Sequence, residues 1–246
     1  MKNISLKRYS VLAVFFIFVI FCFVIFGIKS HRKTAKYWNV KPTKHFLIYY
    51  EKNSPAEEDI RYLAKVLEEY FQESTQMFNI KITKKIPYYF HGGGLYASNS
   101  PVWGYATSKD IHALYSEDKK DSSPHELRHF IHHLVNHRAP YFFNEGACGF
   151  GIQIGGQGFH SRAREVCADL FKYPLLELVK EFKKYGRLGD YLAYSFNSFL
   201  IEQYGKEKFA KFYQKVTQDN WQELMRQVYG LSFSEIETKW KGFLCN

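Results

Sequence analysis

The residues best suited to chemistry in this chain are His125-Glu126-Leu127-Arg128-His129, two histidines four positions apart enclosing a glutamate. Residues four apart on a helix share a face, so both imidazoles reach one metal ion while Glu126 projects beside them. A catalytic zinc site takes neutral nitrogen ligands of this type and keeps one position open for water. A carboxylate next to that water can take its proton and hand it to a leaving amine. The local sequence also starts a helix here. Ser123 is an expected N-cap, Pro124 suits the first turn, and Glu126 completes a capping box. The cap explains those three residues but not the two histidines.

A third ligand is expected from a neighbouring helix. After the turn Arg138-Ala139-Pro140 comes YFFNEGACGF, with Glu145 sixteen positions beyond His129. Pro140 marks a helix start, and the short connection folds the second helix back antiparallel, so Glu145 can point at the same metal. Gly146 allows the helices to approach closely. Leu127, Phe130, Ile131 and Leu134 form the apolar stripe of the first helix. His132, His133 and His137 are expected on its surface or behind the ligands.

The elements that position these residues read in two halves. HFLIYYE (45–51), KKIPYYFH (84–91) and DIHALYS (110–116) are predicted strands, the second at a sheet edge because of Pro87. A helix is predicted from the Asn53-Ser54-Pro55 turn through about Phe78, and HGGGLYASNSPVWGYATSK is a turn-rich loop. From Ser123 onward the pattern is helical: about 124–137, 141–150, 162–184, 190–204, 206–217, 219–229 and 233–243. Strands first and helices after predict an α+β domain.

HELRH, the turn with Pro140, and FNEGA together resemble the gluzincin metallopeptidases. The flanks HFLIYYE, KKIPYYF, GYATSKDIHAL and YSFNSFLIEQYGKEKFAKFY are similar to the peptidase MA-like group of small bacterial gluzincins, over roughly 45–244. The resemblance implies a compact thermolysin-type catalytic domain, with a small N-terminal sheet and a helical C-terminal half. It implies His125, His129 and Glu145 as ligands of Zn²⁺, Glu126 as general base and later acid, and a peptide or protein as substrate. It also implies a donor to the oxyanion of the tetrahedral intermediate. Tyr191 is favoured for that role, with Tyr194 and His160 as alternatives. The chain departs from its relatives at Gly149, four after Glu145, where they often carry a side chain that supports the ligands.

Composition excludes other classes. The chain has 246 residues, 46% hydrophobic, 19% aromatic and only 24% charged, which rules out disorder. Its net charge of +10 is concentrated: nine of the 34 basic residues lie in 1–44, which has no Asp or Glu, and the other 25 face 24 acids. A nucleic-acid partner therefore loses its main support. Residues 1–10 are a basic start. Residues 11–28, VLAVFFIFVIFCFVIFGI, are uncharged and would span about 27 Å as a helix, near the bilayer's hydrocarbon thickness. Residues 29–44 form a basic tether, and 45–246 the metallopeptidase-like domain. One transmembrane helix is thus expected ahead of the α+β domain. Three basic residues before it against six in 29–44 by themselves favour a cytoplasmic domain. Long domains, however, translocate largely regardless of flanking charge, and the gluzincin resemblance implies export. A single-pass cell-membrane protein with its catalytic domain outside the cytoplasm is therefore expected. Cys22, Cys148, Cys167 and Cys245 match no disulfide framework or metal knuckle, though one bridge is possible. The rival reading is a noncatalytic, membrane-tethered interaction module on the same fold.

Overall fold

The computed structural model describes residues 38–93, 95–97, 100–116, 124–149, 153–154, 157–158, 167 and 172–245. The chain divides into two compact units, 1–39 and 40–246, and nearly all described residues belong to the second. In chain order the strands are β1 (Trp38–Pro42), β2 (Phe46–Glu51), β3 (Ile86–His91), β4 (Leu95–Ala97), β5 (Ser100–Val102), β6 (Gly104–Ala106), β7 (Ile111–Leu114), β8 (Gln153–Ile154) and β9 (Gln157–Gly158). The helices are α1 (Pro55–Glu58), α2 (Ile60–Phe78), α3 (His125–Asn136), α4 (Tyr141–Gly149), α5 (Leu175–Lys180), α6 (Gly186–Tyr204), α7 (Lys206–Tyr213), α8 (Trp221–Tyr229) and α9 (Phe233–Cys245).

Five strands form a mixed sheet in the order β1-β2-β3-β7-β6. β2, β3 and β7 run parallel, and β6 returns antiparallel to β7. Alternation along each strand selects the buried face. Phe46 and Ile48, then Ile86, Tyr88 and Phe90, then Ile111 and Ala113 all point into the core. α2 covers them with Leu63, Ala64, Leu67, Phe71 and Phe78, and Phe71 meets Phe46 edge-on at 5.7 Å. Each Leu or Phe so buried contributes about 1.5–3 kcal/mol.

Several expectations change at this level. β3 is central rather than at an edge. Pro87 is tolerated because Ile86 N–H donates to His45 O on the β2 side, while pairing with β7 begins only at Tyr88. The missing N–H therefore faces a stretch where no ladder bond is required. The long helix expected through Phe78 breaks at Asp59, whose carboxylate accepts the Tyr115 hydroxyl at 2.8 Å. The turn-rich loop contains β4 paired with β5, and then β6, which pairs with β7 from Gly104 to Ala106. β1 forms within the stretch read as tether.

In the helical half, α6 starts at Gly186 rather than 190. Of the helix expected over 162–184, the α-helical part among the described residues begins after Pro174, which occupies the N-cap of α5. It ends at Lys180, before a 3₁₀ turn at Phe182–Tyr185. Cys167 and Cys245 form a disulfide with Cα atoms 5.6 Å apart. Cys148 is free and buried.

The expectation of a membrane-spanning helix, and with it the single-pass, extracytoplasmic placement, is corrected. No helix among the described residues is long and apolar enough to cross a membrane, and 11–28 lies outside them. The two longest described helices, of 19 residues each, show why. α2 carries Arg61, Lys65, Glu68, Glu69 and Glu73, and α6 carries Arg187, Asp190 and Glu202. These are amphipathic helices packed on a protein core, not lipid-facing ones. The fold is α+β, a five-stranded mixed sheet followed by helices.

Candidate metal centre

α3 and α4 form the hairpin that the short turn required. Pro140 O accepts from Phe143 N–H and Asn144 N–H, which starts α4 on the far side of the turn. The Ser123 cap lies outside the described residues, and α3 has Pro124 at its N-cap without a side-chain cap bond. α4 packs on α6 with very little clearance. A Cβ added to Gly146 would fall on the backbone carbonyl of Ala193 and the side-chain amide of Asn197. That contact fixes how far Glu145, one residue earlier, reaches toward α3.

Three donor atoms converge. His125 Nε2 and His129 Nε2 lie 2.9 Å apart, and Glu145 Oε2 lies 3.4 Å from the second and 3.8 Å from the first. Among the described residues this is the group of His, Cys, Asp and Glu whose ligand atoms could hold one metal ion. The donor chemistry fits a divalent cation. Two imidazole lone pairs facing each other at 2.9 Å need a proton or a cation between them, and the carboxylate oxygen closes the third side. Ligand atoms about 2.0–2.2 Å from zinc in a tetrahedron sit roughly 3.3 Å from one another, close to the observed spacings.

Electrostatics follow the same geometry. Burial, then the neighbouring His129, pushes His125 down to about 3, so it is neutral and free to ligate. Glu145 is held below its ordinary value: burial opposes charge, but the hydrogen bond to His129 and the positive charge of that ring, itself raised against burial by Cys148 and Glu145, outweigh it. Glu126 behaves in the opposite way. Burial, reinforced by Glu145 and opposed by His129, pushes its carboxyl up to about 7. Glu126 is seated under β6, where Gly104 leaves room for it.

The far side of His129 is occupied as well. Its Nδ1 lies 3.3 Å from Asn144 Oδ1 and 3.3 Å from Cys148 Sγ. Cys148 Sγ is also 3.3 Å from His132 Nδ1, and burial pushes its thiol up. His132, expected on the surface or behind the ligands, is 3% exposed, with Phe78 edge-on at 5.1 Å. His133 and His137 are exposed, their rings 5.9 Å apart.

Tyr191 is partly buried, with its ring against Tyr194. Tyr194 is 7% exposed, and its phenol is raised by burial and then by Glu145, Asp190, Cys148 and Glu126. Tyr194 is thus in electrostatic reach of Glu145 and Glu126. Its ring also fills the space over Gly149 where a side chain would otherwise stand. Asp190, one turn earlier on α6, is pushed up to about 6 by burial and Glu145. His160 lies outside the described residues. Sequence reasoning did not find Gly104, Cys148 or Asp190 as neighbours of the site. For Cys148 a signal existed, since Asn144 and Cys148 are four apart on α4 and share a face.

The chain matches no protein-family model, no curated protein and no solved structure. The gluzincin resemblance therefore rests on the motif residues and their flanks alone.

Proposed function

We propose that this protein is a zinc metallopeptidase that hydrolyses peptide bonds of a peptide or protein substrate. The observation that carries the reading is the convergence of His125 Nε2, His129 Nε2 and Glu145 Oε2 within 3.8 Å of one another, with Glu126 on the turn that supplies His125. His125, His129 and Glu145 would hold the zinc, which when bound would supply Lewis acidity toward the scissile carbonyl. The remaining work belongs to the chain. Glu126 takes the proton of the attacking water and returns it to the leaving amine. A carboxyl poised at about 7 suits both directions of that transfer near neutral pH. Tyr191 or Tyr194 donates its phenolic proton in a hydrogen bond to the developing oxyanion. Asn144 ties α4 to His129 of α3, and Gly146 seats α4 on α6.

The test is metal analysis of the purified protein together with cleavage of a mixed peptide library. One zinc per chain and measurable cleavage are expected. Ala at His125, His129 or Glu145 lowers zinc content sharply, because three protein ligands are the usual set of a catalytic site. Glu126→Gln keeps zinc and loses about 10²-fold or more in hydrolysis. A zinc-loaded parent protein that cleaves nothing in the library supports the interaction-module reading instead, and full zinc occupancy in Glu145→Ala removes Glu145 from the ligand set.

A further inference from the structure

Behind the ligand pair, a second set of side chains forms a closed line with no evident role in proton transfer or substrate contact. His129 Nδ1, Cys148 Sγ and His132 Nδ1 follow one another at 3.3 Å and 3.3 Å. Asn144 Oδ1 stands 3.3 Å from His129 Nδ1 and 3.6 Å from the sulfur. Cys148 is fully buried and His132 nearly so. The elements around them offer few other polar groups. Arg128, next to His129 on α3, directs one guanidinium nitrogen to the carbonyl of Cys148 at 3.1 Å and another toward Glu73 of α2. Phe78 and the Tyr213 ring close on His132 from α2 and α7.

With His129 Nε2 given to a metal, one proton arrangement suits this line. His129 carries its proton on Nδ1 and donates it to Cys148 Sγ and Asn144 Oδ1. Cys148 donates its S–H to His132 Nδ1, and His132 keeps its own proton on Nε2. A thiol uses one donor and one acceptor here, which matches its capacity. The consequence appears on the other face of the same ring, where His129 Nε2 is left as a bare lone pair toward His125 and Glu145. The opposite tautomer would turn Nδ1 into an acceptor of the Cys148 S–H and place a proton among the three donors, where it blocks a metal.

We propose that Cys148 and His132 are positioning residues, which fix His129 as the Nδ1–H tautomer and aim its Nε2 into the metal centre. The inference rests on the metallopeptidase reading, and adds that the support of this ligand comes from a thiol–imidazole pair as well as from Asn144. It also accounts for Gly149. Support arrives from Cys148, one residue earlier on α4, and the space over Gly149 is taken by the Tyr194 ring.

The experiment uses the full chain and measures zinc affinity by competition with a chromophoric chelator. Cys148→Ala is expected to weaken zinc about 10-fold or more, the usual cost of removing a residue that orients a metal ligand. Cys148→Ser, which keeps a donor and an acceptor, stays within about threefold. His132→Leu weakens zinc and His132→Asn, with its carbonyl near the Nδ1 position, restores it. Imidazole ¹⁵N spectra of the zinc-loaded wild-type protein give a readout independent of any variant's folding, and His129 is expected to carry its proton on Nδ1. A proton on Nε2 overturns the inference, and so does wild-type zinc affinity in a folded Cys148→Ala protein. The second result leaves the metallopeptidase reading standing, whereas the first also removes His129 Nε2 from its ligand set. Wild-type protein that takes up no zinc defeats that reading and this inference together.

Discussion

Gly104 on β6 and Glu126 on α3 are in direct contact: a methyl group added to the glycine would meet Glu126 Cγ at 2.5 Å and its Cδ and Oε1 at 2.7 Å. The edge strand of the sheet thereby forms the wall against which the Glu126 carboxyl is seated. β6 owes its place to antiparallel pairing with β7, Gly104 opposite Ala113. The two residues lie 22 positions apart in the chain.

Gly104→Ala tests that wall. The atoms it displaces are the flexible end of a side chain, so the fold survives and Glu126 swings away from its seat. Hydrolysis should fall by about 10-fold to 10²-fold, a large part of what the general base supplies, while zinc content stays at one per chain. Activity equal to the parent protein would mean that Glu126 does not work from this position.

The pH dependence of stability gives a second test, made on chelator-treated protein. Burial raises the Glu126 carboxyl from 4.5 to about 7. The unfolded chain ionises first, so this group stabilises the fold fully below about pH 4.5, and the contribution is lost as pH rises through 7. Glu126→Gln removes the burden of a buried charge. It should therefore be more stable than the parent at pH 8, by an order of magnitude of about 3 kcal/mol from the 1.36 kcal/mol per pKa unit. The gain should shrink toward acid pH. Urea unfolding at pH 5 and pH 8 checks it, and a gain of equal size at both would show that the carboxyl is not perturbed.

Gly146→Ala should separate α4 from α6, because the obstruction is the backbone carbonyl of Ala193 rather than a movable side chain. Overpacking of this kind costs about 1–3 kcal/mol. Glu145 moves with α4, so zinc affinity should drop in step with stability. Denaturant midpoints and chelator competition on the same samples measure both, and unchanged values would mean that the helix contact is looser than described.

Tyr191→Phe and Tyr194→Phe distinguish the two phenols. Tyr194 is the more buried, and the charges of Glu145 and Glu126 act on its ionisation, so its loss should lower kcat by about 10-fold to 10²-fold with little change in KM, as for an oxyanion donor. Tyr191, whose ring packs on Tyr194 from a less buried position, should show a smaller effect. The reverse order would assign the donor to Tyr191.

Much of the site was legible because its spacing is local. The helical period alone puts His125 and His129 on one face, and Pro140 with a short turn folds Glu145 back toward them. The alternating burial of β2, β3 and β7 was equally plain, since Phe46, Ile48, Tyr88, Phe90 and Ile111 sit at every second position. What lies outside a single element was not. Leu134 completes an apolar stripe in the sequence yet is 49% exposed, because α3 turns Arg128, His132 and Asn136 inward instead. Asn136 is buried there by donating to the carbonyls of Tyr213 and Val216 at the end of α7, some 80 residues away.

The sequence by itself determined which residues can act: two imidazoles and a carboxylate at helical and hairpin spacing, and a glutamate beside them. Only the tertiary structure decided how they are held. The seat of Glu126 under Gly104, the thiol behind His129 and the glycine contact that sets Glu145 each join elements far apart in the chain. Their distances depend on how sheet and helices pack, and residue type and local periodicity carry no information about that packing.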